Sequence, residues 1–245
     1  MTKENFIDGI YNYCDRWCER CNFTDRCRLF YLETERNVQH IINDEDPQDP
    51  NVFTKDIEES LSETMNMISE KMEEMNIDPE DIDDNNFPIE YDYDAYPINI
   101  LASNFKDSMG LIEELHNFYG LNTIDAIDKN TMTNELKEIK ENLSILSWYS
   151  PMVYVKIKSL IRANEDYKTE DDEEIKEIIK EEIFVTGKLL YIALTKSLSA
   201  LSNLHEYCSE LSDQIIDMMI LLTKIKDDLL KMYPEIPDYK RPYFD

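Results

Sequence analysis

The stretch on which the fold turns is Ile183-Phe-Val-Thr-Gly-Lys-Leu-Leu-Tyr-Ile-Ala-Leu-Thr-Lys-Ser-Leu-Ser-Ala-Leu201. Phe184-Val185 and the run Leu189-Leu-Tyr-Ile-Ala-Leu194 have the look of a buried strand. The longer pattern around them decides otherwise. Ile183, Gly187, Leu190, Leu194, Leu198, Leu201, His205 and Cys208 recur at the spacing of one helical face. Upstream, Thr169 with Asp172 resembles a capping box, with Asp in the usual Glu or Gln place. The whole run from Thr169 to Cys208 is therefore expected to be helical.

The same reading extends in both directions. A final helix runs to Met232 through Ile215, Met218, Leu222, Ile225 and Leu229, and the tail YPEIPDYKRPYFD follows as an extended surface arm. Residues 134–149 carry Leu136, Ile139, Leu143 and Leu146 behind a possible Thr133 cap, and Ser150-Pro151 then kinks or restarts the helix. Residues 100–119 present Leu101, Phe105, Met109, Ile112, His116 and Tyr119 on one face, with Gly120 able to take the C′ position. Residues 55–75 form an amphipathic helix through Ile57, Leu61, Met65, Ile68, Met72 and Met75, with Thr54 as its cap. Further helices are expected over 28–42 and over 4–21, the latter from Phe6, Ile10, Tyr13 and Trp17. Between them, residues 76–99 are rich in acid, Asn and Pro, which deny a regular helix, although Tyr91, Tyr93 and Tyr96 could pin the segment down.

No βαβ alternation and no repeat is visible, and glycine is scarce at 4 residues. The expected class is all-α, a bundle of five to eight helices with a small N-terminal four-cysteine metal-binding unit. The expected divisions are N-terminal helices with the cysteines (1–75), an acidic linker or ordered loop (76–99), a helical bundle (100–234) and a tail (235–245).

Charge excludes several functions. With 25 Lys and Arg against 53 Asp and Glu, the net charge is −28, which repels nucleic acid and anionic lipid. Basic protein partners and cations remain compatible. Residues 1–20 have no apolar core of a signal peptide, and the greasy patch Ile215–Leu222 carries an aspartate and is too short to span a bilayer. A soluble cytoplasmic protein is expected, and in that compartment clustered cysteines are more often metal ligands than disulfides.

Four of the five cysteines fall in Cys14-Asp-Arg-Trp-Cys-Glu-Arg-Cys-Asn-Phe-Thr-Asp-Arg-Cys27, spaced C-x3-C-x2-C-x5-C. On a helix, Cys14, Cys18 and Cys21 would share one face, and a turn at Asn22–Asp25 would return Cys27 over it. Four thiolates could then hold tetrahedral zinc or a [4Fe–4S] cluster. Arg16, Arg20, Arg26 and Arg28 lie in or beside this stretch, out of seven arginines in the chain, and would offset the negative charge of such a centre. Trp17, Phe23 and Phe30 could shield it. Disulfides, or thiols with no shared task, are the competing readings.

The sub-motif CERCNFTDRC (Cys18–Cys27), with Phe23 two residues after Cys21, resembles the iron–sulfur triad of CRISPR-associated and recombination-type exonucleases. It also has the cysteine spacing of the auxiliary-cluster domains of radical enzymes. The likeness covers about ten residues, and Cys14 lies immediately upstream where those families place their fourth cysteine far away. No nuclease sheet or barrel pattern accompanies it. The resemblance suggests a [4Fe–4S] cluster on Cys18, Cys21 and Cys27, with Cys14 supplied as the fourth ligand by the spacing alone, and carries neither nuclease nor radical activity across.

Three histidines are present, His40, His116 and His205. Glu113-Glu-Leu-His116 has the E-x-x-H spacing from which di-iron carboxylate bundles draw ligands, but the residue three before His205 is Ser202, so half of that pattern is missing. Glu113, His116 and His205 form a candidate second metal site, with Glu141 and Glu182 as further donors. The alternative is that His116 and His205 are core histidines satisfied by local hydrogen bonds. His40 follows a charged stretch and is expected at the surface, and Cys208 as a small buried hydrophobe. Neither a phosphate-binding Gly loop nor a nucleophile elbow occurs.

Three functions follow as expectations. The first is a [4Fe–4S] protein in electron transfer or redox sensing, with a redox partner. The second is a zinc-stapled acidic module that contacts a basic protein. The third is a metal-dependent bundle oxidoreductase using Glu113, His116 and His205.

Overall fold

The computed structural model describes residues 6–47, 49–78, 91–119 and 133–245. Among them are seven α-helices and no strand. The helices are α1 (Arg28–Ile42), α2 (Pro50–Glu74), α3 (Pro97–Asp107), α4 (Gly110–Phe118), α5 (Asn134–Thr169), α6 (Glu173–His205) and α7 (Ser212–Met232). The fold is all-α. The stretch 183–201 lies wholly inside α6, so the helical period wins over its strand-like runs. The chain divides into two compact units, one of Met1–Tyr11 and Cys18–Glu90, the other of Asn12–Trp17 and Tyr91–Asp245.

The second unit is built on an antiparallel pair, α5 and α6, joined by a three-residue connection. Thr133 caps α5 by accepting from the Leu136 amide at 3.2 Å. The start of α6 differs from expectation: the cap is Asp172, which accepts from the amides of Glu174 and Ile175. A carboxylate placed there satisfies two orphan donors and meets the positive end of the helix dipole. Pro151 does not restart α5, which runs through it unbroken. The apolar faces of the pair, including Leu143, Leu146, Val153, Ile157, Leu190, Leu194, Leu201 and Leu204, are fully shielded from solvent.

Helix α7 covers α6 with Ile215, Met218, Leu222, Ile225 and Leu229, all buried, and α3 packs against both α5 and α7 through Ala102 and Phe105. The expected single helix over 100–119 is two, because the chain turns at Ser108-Met109, where the Ser108 hydroxyl donates to the Phe105 carbonyl at 2.7 Å. Gly120, expected as a cap, lies outside the described residues, as do residues 79–90 of the acidic segment. What is described of that segment is anchored. Tyr91 donates to Asp166 at 2.6 Å, Tyr96 to Glu165, and the Lys158 ammonium sits 4.8 Å from the Tyr93 ring centre.

The C-terminal tail, expected as an extended arm, is instead turned and seated on α6. Ile236 is fully buried, and a Cβ at Gly187 would come within 2.5 Å of its Cδ1, so glycine makes room for the tail. Lys188 donates to the Pro237 carbonyl at 2.7 Å, and Tyr239 stacks on Phe184. Helix α6 has, by length and composition, what a membrane-crossing helix needs, and 61% of its most apolar window is buried in the bundle.

The first unit is organised differently. Among its described residues only Ile7, Ile10 and His40 are buried. Helix α2 starts at Pro50, a residue suited to the first helical turn, and its cap is Asp49 (2.7 Å to the Asn51 amide), not Thr54. Polar contacts tie α1 to α2. Arg36 donates to the Ser60 hydroxyl at 3.1 Å. His40, expected at the surface, is buried with Glu45 2.7 Å from Nδ1 and Asp56 3.0 Å from Nε2. A carboxylate on each ring nitrogen asks for two N–H donors, which only the imidazolium has. The Glu45 hydrogen bond first, then that of Asp56, raise the His40 pKa above its ordinary 6.5.

The sign of the linkage is fixed by that upward shift. The His40 contribution is complete below about pH 6.5 and is lost as pH rises through the folded-state pKa. Thermal melts followed by circular dichroism from pH 6 to 9 should show stability falling with pH in the native chain. His40→Gln should reduce this slope; equal slopes in both proteins would contradict it.

Candidate functional site

The cysteine run does not form the helix expected over 4–21. Its described part is a succession of short 3-10 turns, Ile10–Asn12, Cys18–Arg20 and Thr24–Arg26. Gly9 (φ 65°) and Arg16 (φ 61°) both adopt the left-handed region, which no α-helix accommodates. The Asp15 carboxylate also takes the Trp17 amide at 3.2 Å, a local bond that competes with helix formation. Cys14, Cys18 and Cys21 therefore do not line one helical face. All four cysteines of the run are of intermediate exposure, and Cys208 is buried. Among the described residues no group of three or more His, Cys, Asp or Glu is arranged to hold a metal ion.

Cys14 belongs to the stretch Asn12–Trp17, which is fastened to α5. The Trp17 ring stacks on Trp148 (5.3 Å between centres, 19° between planes) and meets Tyr149 edge-on. Asp15 serves both residues: its carbonyl accepts from the Trp148 indole at 3.1 Å, and its carboxylate from the Tyr149 hydroxyl at 2.5 Å. Arg241 donates to the Tyr13 carbonyl at 3.4 Å, so the C-terminal tail holds the other end. Lys156, two turns along α5, feels this stretch as well. Burial, then Arg16, lower its pKa, while Glu182 and Cys14 act in the opposite direction.

The remaining three cysteines sit in the first unit. The Cys21 amide donates to the Cys18 carbonyl at 3.1 Å, closing a tight turn, and the Phe23 amide points at the Cys21 sulfur at 3.4 Å. An N–H aimed at sulfur stabilises negative charge there. Cys27 stands at the N-cap of α1, and its carbonyl accepts from the Tyr31 amide at 3.1 Å. The Ile7 amide donates to the Arg26 carbonyl at 3.0 Å and tethers the loop from its other side.

The histidines of the second candidate site are each held by a hydroxyl. His116 on α4 has Nε2 3.1 Å from the Ser147 hydroxyl of α5, and burial lowers its pKa. His205, the last residue of α6, has Nε2 2.7 Å from the Ser212 hydroxyl. Glu113 and Glu141 are exposed, and Glu182 lies 3.8 Å from Arg162. The arrangement is that of hydrogen-bonded histidines in a helical bundle.

Sequence reasoning missed the partners of the cysteine run, Trp148, Tyr149 and Lys156, because they lie more than 130 positions away and only folding brings them near. It also missed the Glu45–His40–Asp56 bridge, for which the sequence offers no more than acidic neighbours. Comparison with known protein families, curated proteins and solved structures gives no match.

Removing the Asp15 carboxylate leaves the buried Tyr149 hydroxyl without its acceptor. Asp15→Ala is expected to cost about 1–3 kcal/mol, and Tyr149→Phe less, since it removes the donor too. In a denaturant double-mutant cycle, Asp15→Ala should cost less once Tyr149 is phenylalanine; strict additivity would contradict the contact.

Proposed function

We propose that the run Cys14–Cys27 binds a [4Fe–4S] cluster through Cys14, Cys18, Cys21 and Cys27, and that the protein works in electron transfer or redox sensing in a reducing, cytoplasmic setting. The observation that carries this reading is the four cysteines gathered in fourteen residues of a chain that has only five. A helical protein needs no such run for packing, since apolar side chains fill a core without reactive sulfur.

Local electrostatics support the reading. The Phe23 N–H directed at Cys21 and the position of Cys27 at the positive end of the α1 dipole both favour anionic sulfur. Four arginines in or beside the run act in the same sense. The intermediate exposure of the cysteines leaves them accessible to a redox partner.

The tight Cys18–Cys21 turn with its N–H···S bond also suits zinc, which often sits on C-x2-C turns. In that second reading the ion staples a unit that has almost no apolar core, and the acidic helices meet a basic protein. A bundle oxidoreductase built on Glu113, His116 and His205 has no comparable support, because each histidine already has a hydroxyl partner.

Anaerobically purified protein should be brown, absorb near 400 nm, and contain about four iron and four acid-labile sulfide per chain. Cys18→Ser or Cys21→Ser should lower the iron content at least tenfold, whereas Cys208→Ala should retain it. A colourless protein with one zinc and no sulfide gives the second reading. A protein that binds neither metal after anaerobic reconstitution overturns both.

A further inference from the structure

Helices α1 and α2 are packed inside out. The hydrogen bonds between them are Arg36 to Ser60 and His40 to Asp56, and Phe53, Ile57 and Leu61 line an open cleft beside these bonds rather than a closed core. Helix α2 buries none of its residues. Ile57, Leu61, Met65, Ile68 and Met75 are between 44% and 62% exposed. A 25-residue helix with an uncovered apolar face is marginal in water, because tertiary packing of that face supplies most helical stability.

The spacing of the exposed residues says what covers them. From Leu61 through Met65, Ile68 and the half-buried Met72 to Met75, the intervals are four, three, four and three. This is the heptad of a helix packed lengthwise on another helix, with Met65 and Met72 at a positions and Leu61, Ile68 and Met75 at d positions. A flat sheet or a lipid surface does not require that period.

The charges beside the seam say which helix. The positions flanking it on either side are Ser62, Thr64, Ser69, Lys71 and Asn76, with no carboxylate among them. The acids Glu59, Glu63, Glu70, Glu73 and Glu74 lie on the opposite side of the helix. A seam made to grip a basic helix would carry carboxylates on its flanks, where interhelical ion pairs form. In an antiparallel two-fold pair of helices each flank meets the same flank of the copy, so a helix this acidic can meet itself there only if its flanks carry no carboxylate. The small, uncharged Ser62, Thr64 and Ser69 also let two backbones approach.

We propose that α2 is a self-association surface, and that two copies of this chain pair through a two-fold α2–α2 seam formed by Leu61, Met65, Ile68, Met72 and Met75. The proposal does not depend on the metal reading. Because each chain carries a net charge of −28, added salt should strengthen this pairing by screening the repulsion between copies, whereas it would weaken a complex with a basic helix.

Sedimentation equilibrium of the full chain, over about 1–200 µM and at low and high salt, tests it. The expected result is a mass of twice the 29.1 kDa chain at the upper loadings, reached at lower concentration in high salt. Leu61→Glu and Ile68→Glu, both at exposed positions, should weaken pairing at least a hundredfold with helicity by circular dichroism retained. Met67→Glu, equally exposed but off the seam, should leave it unchanged. Met65→Ser should weaken pairing about tenfold, which keeps the test open if a charge at the seam disturbs α2 itself. A monomer at every loading and salt, or a dimer indifferent to all the seam variants, overturns the proposal. So does capture of a basic amphipathic peptide by the monomer with the seam variants abolishing it.

Discussion

The apolar seam between α5 and α6 is the constraint on which the larger unit depends. Two helices of 36 and 33 residues lie antiparallel, and most of the fully buried leucines belong to them. Each such side chain contributes about 1.5–3 kcal/mol on leaving water. Asn203 donates to the Asn142 side chain across the seam at 3.1 Å, which opposes sliding of one helix along the other. Helices α3 and α7 then close the flanks, and the tail seats Ile236 against Gly187.

Two kinds of stabilisation thus occur in one chain. The larger unit has a continuous core. The smaller one relies on polar bridges and short turns, with three buried residues among those described. Units that bury so little are ordinarily completed by a metal, by disulfides or by association. The proposed ligand role of the cysteine run and the proposed pairing of α2 answer that same deficit by different means. The stretch that holds Cys14 belongs to the larger unit, where Asp15 and Trp17 are fixed to Trp148 and Tyr149 of α5.

Much of the helical architecture was legible in the sequence, because the pattern of apolar residues every three or four positions is set by burial on one face. That held for α5, α6 and α7, while α1 forms over its expected span with Leu32, Val38 and Ile41 exposed, and the strand-like run Leu189–Leu194 was overruled by its longer surroundings. The pattern failed in two informative ways. Phe6, Ile10, Tyr13 and Trp17 keep the helical period but do not form a helix, since Trp17 gains more by stacking on Trp148 than by joining a helix interrupted by the left-handed Arg16. In α2 the period is right, yet the face it marks is exposed. Periodicity reports that a face is made for burial, not which molecule buries it. For the candidate site, residue type and spacing were legible, while the supports of the stretch that holds Cys14 were not, because Trp148 and Tyr149 reach Asp15 and Trp17 only through the fold.

The central claim is that the sulfurs of Cys14, Cys18, Cys21 and Cys27 ligate one cluster, and X-ray absorption at the iron edge of anaerobically isolated protein tests it most directly. The account predicts a first shell of sulfur at about 2.3 Å together with an iron–iron vector near 2.7 Å, both lost in Cys21→Ser. An iron shell of nitrogen and oxygen without an iron–iron vector, or one unchanged in Cys21→Ser, would contradict it.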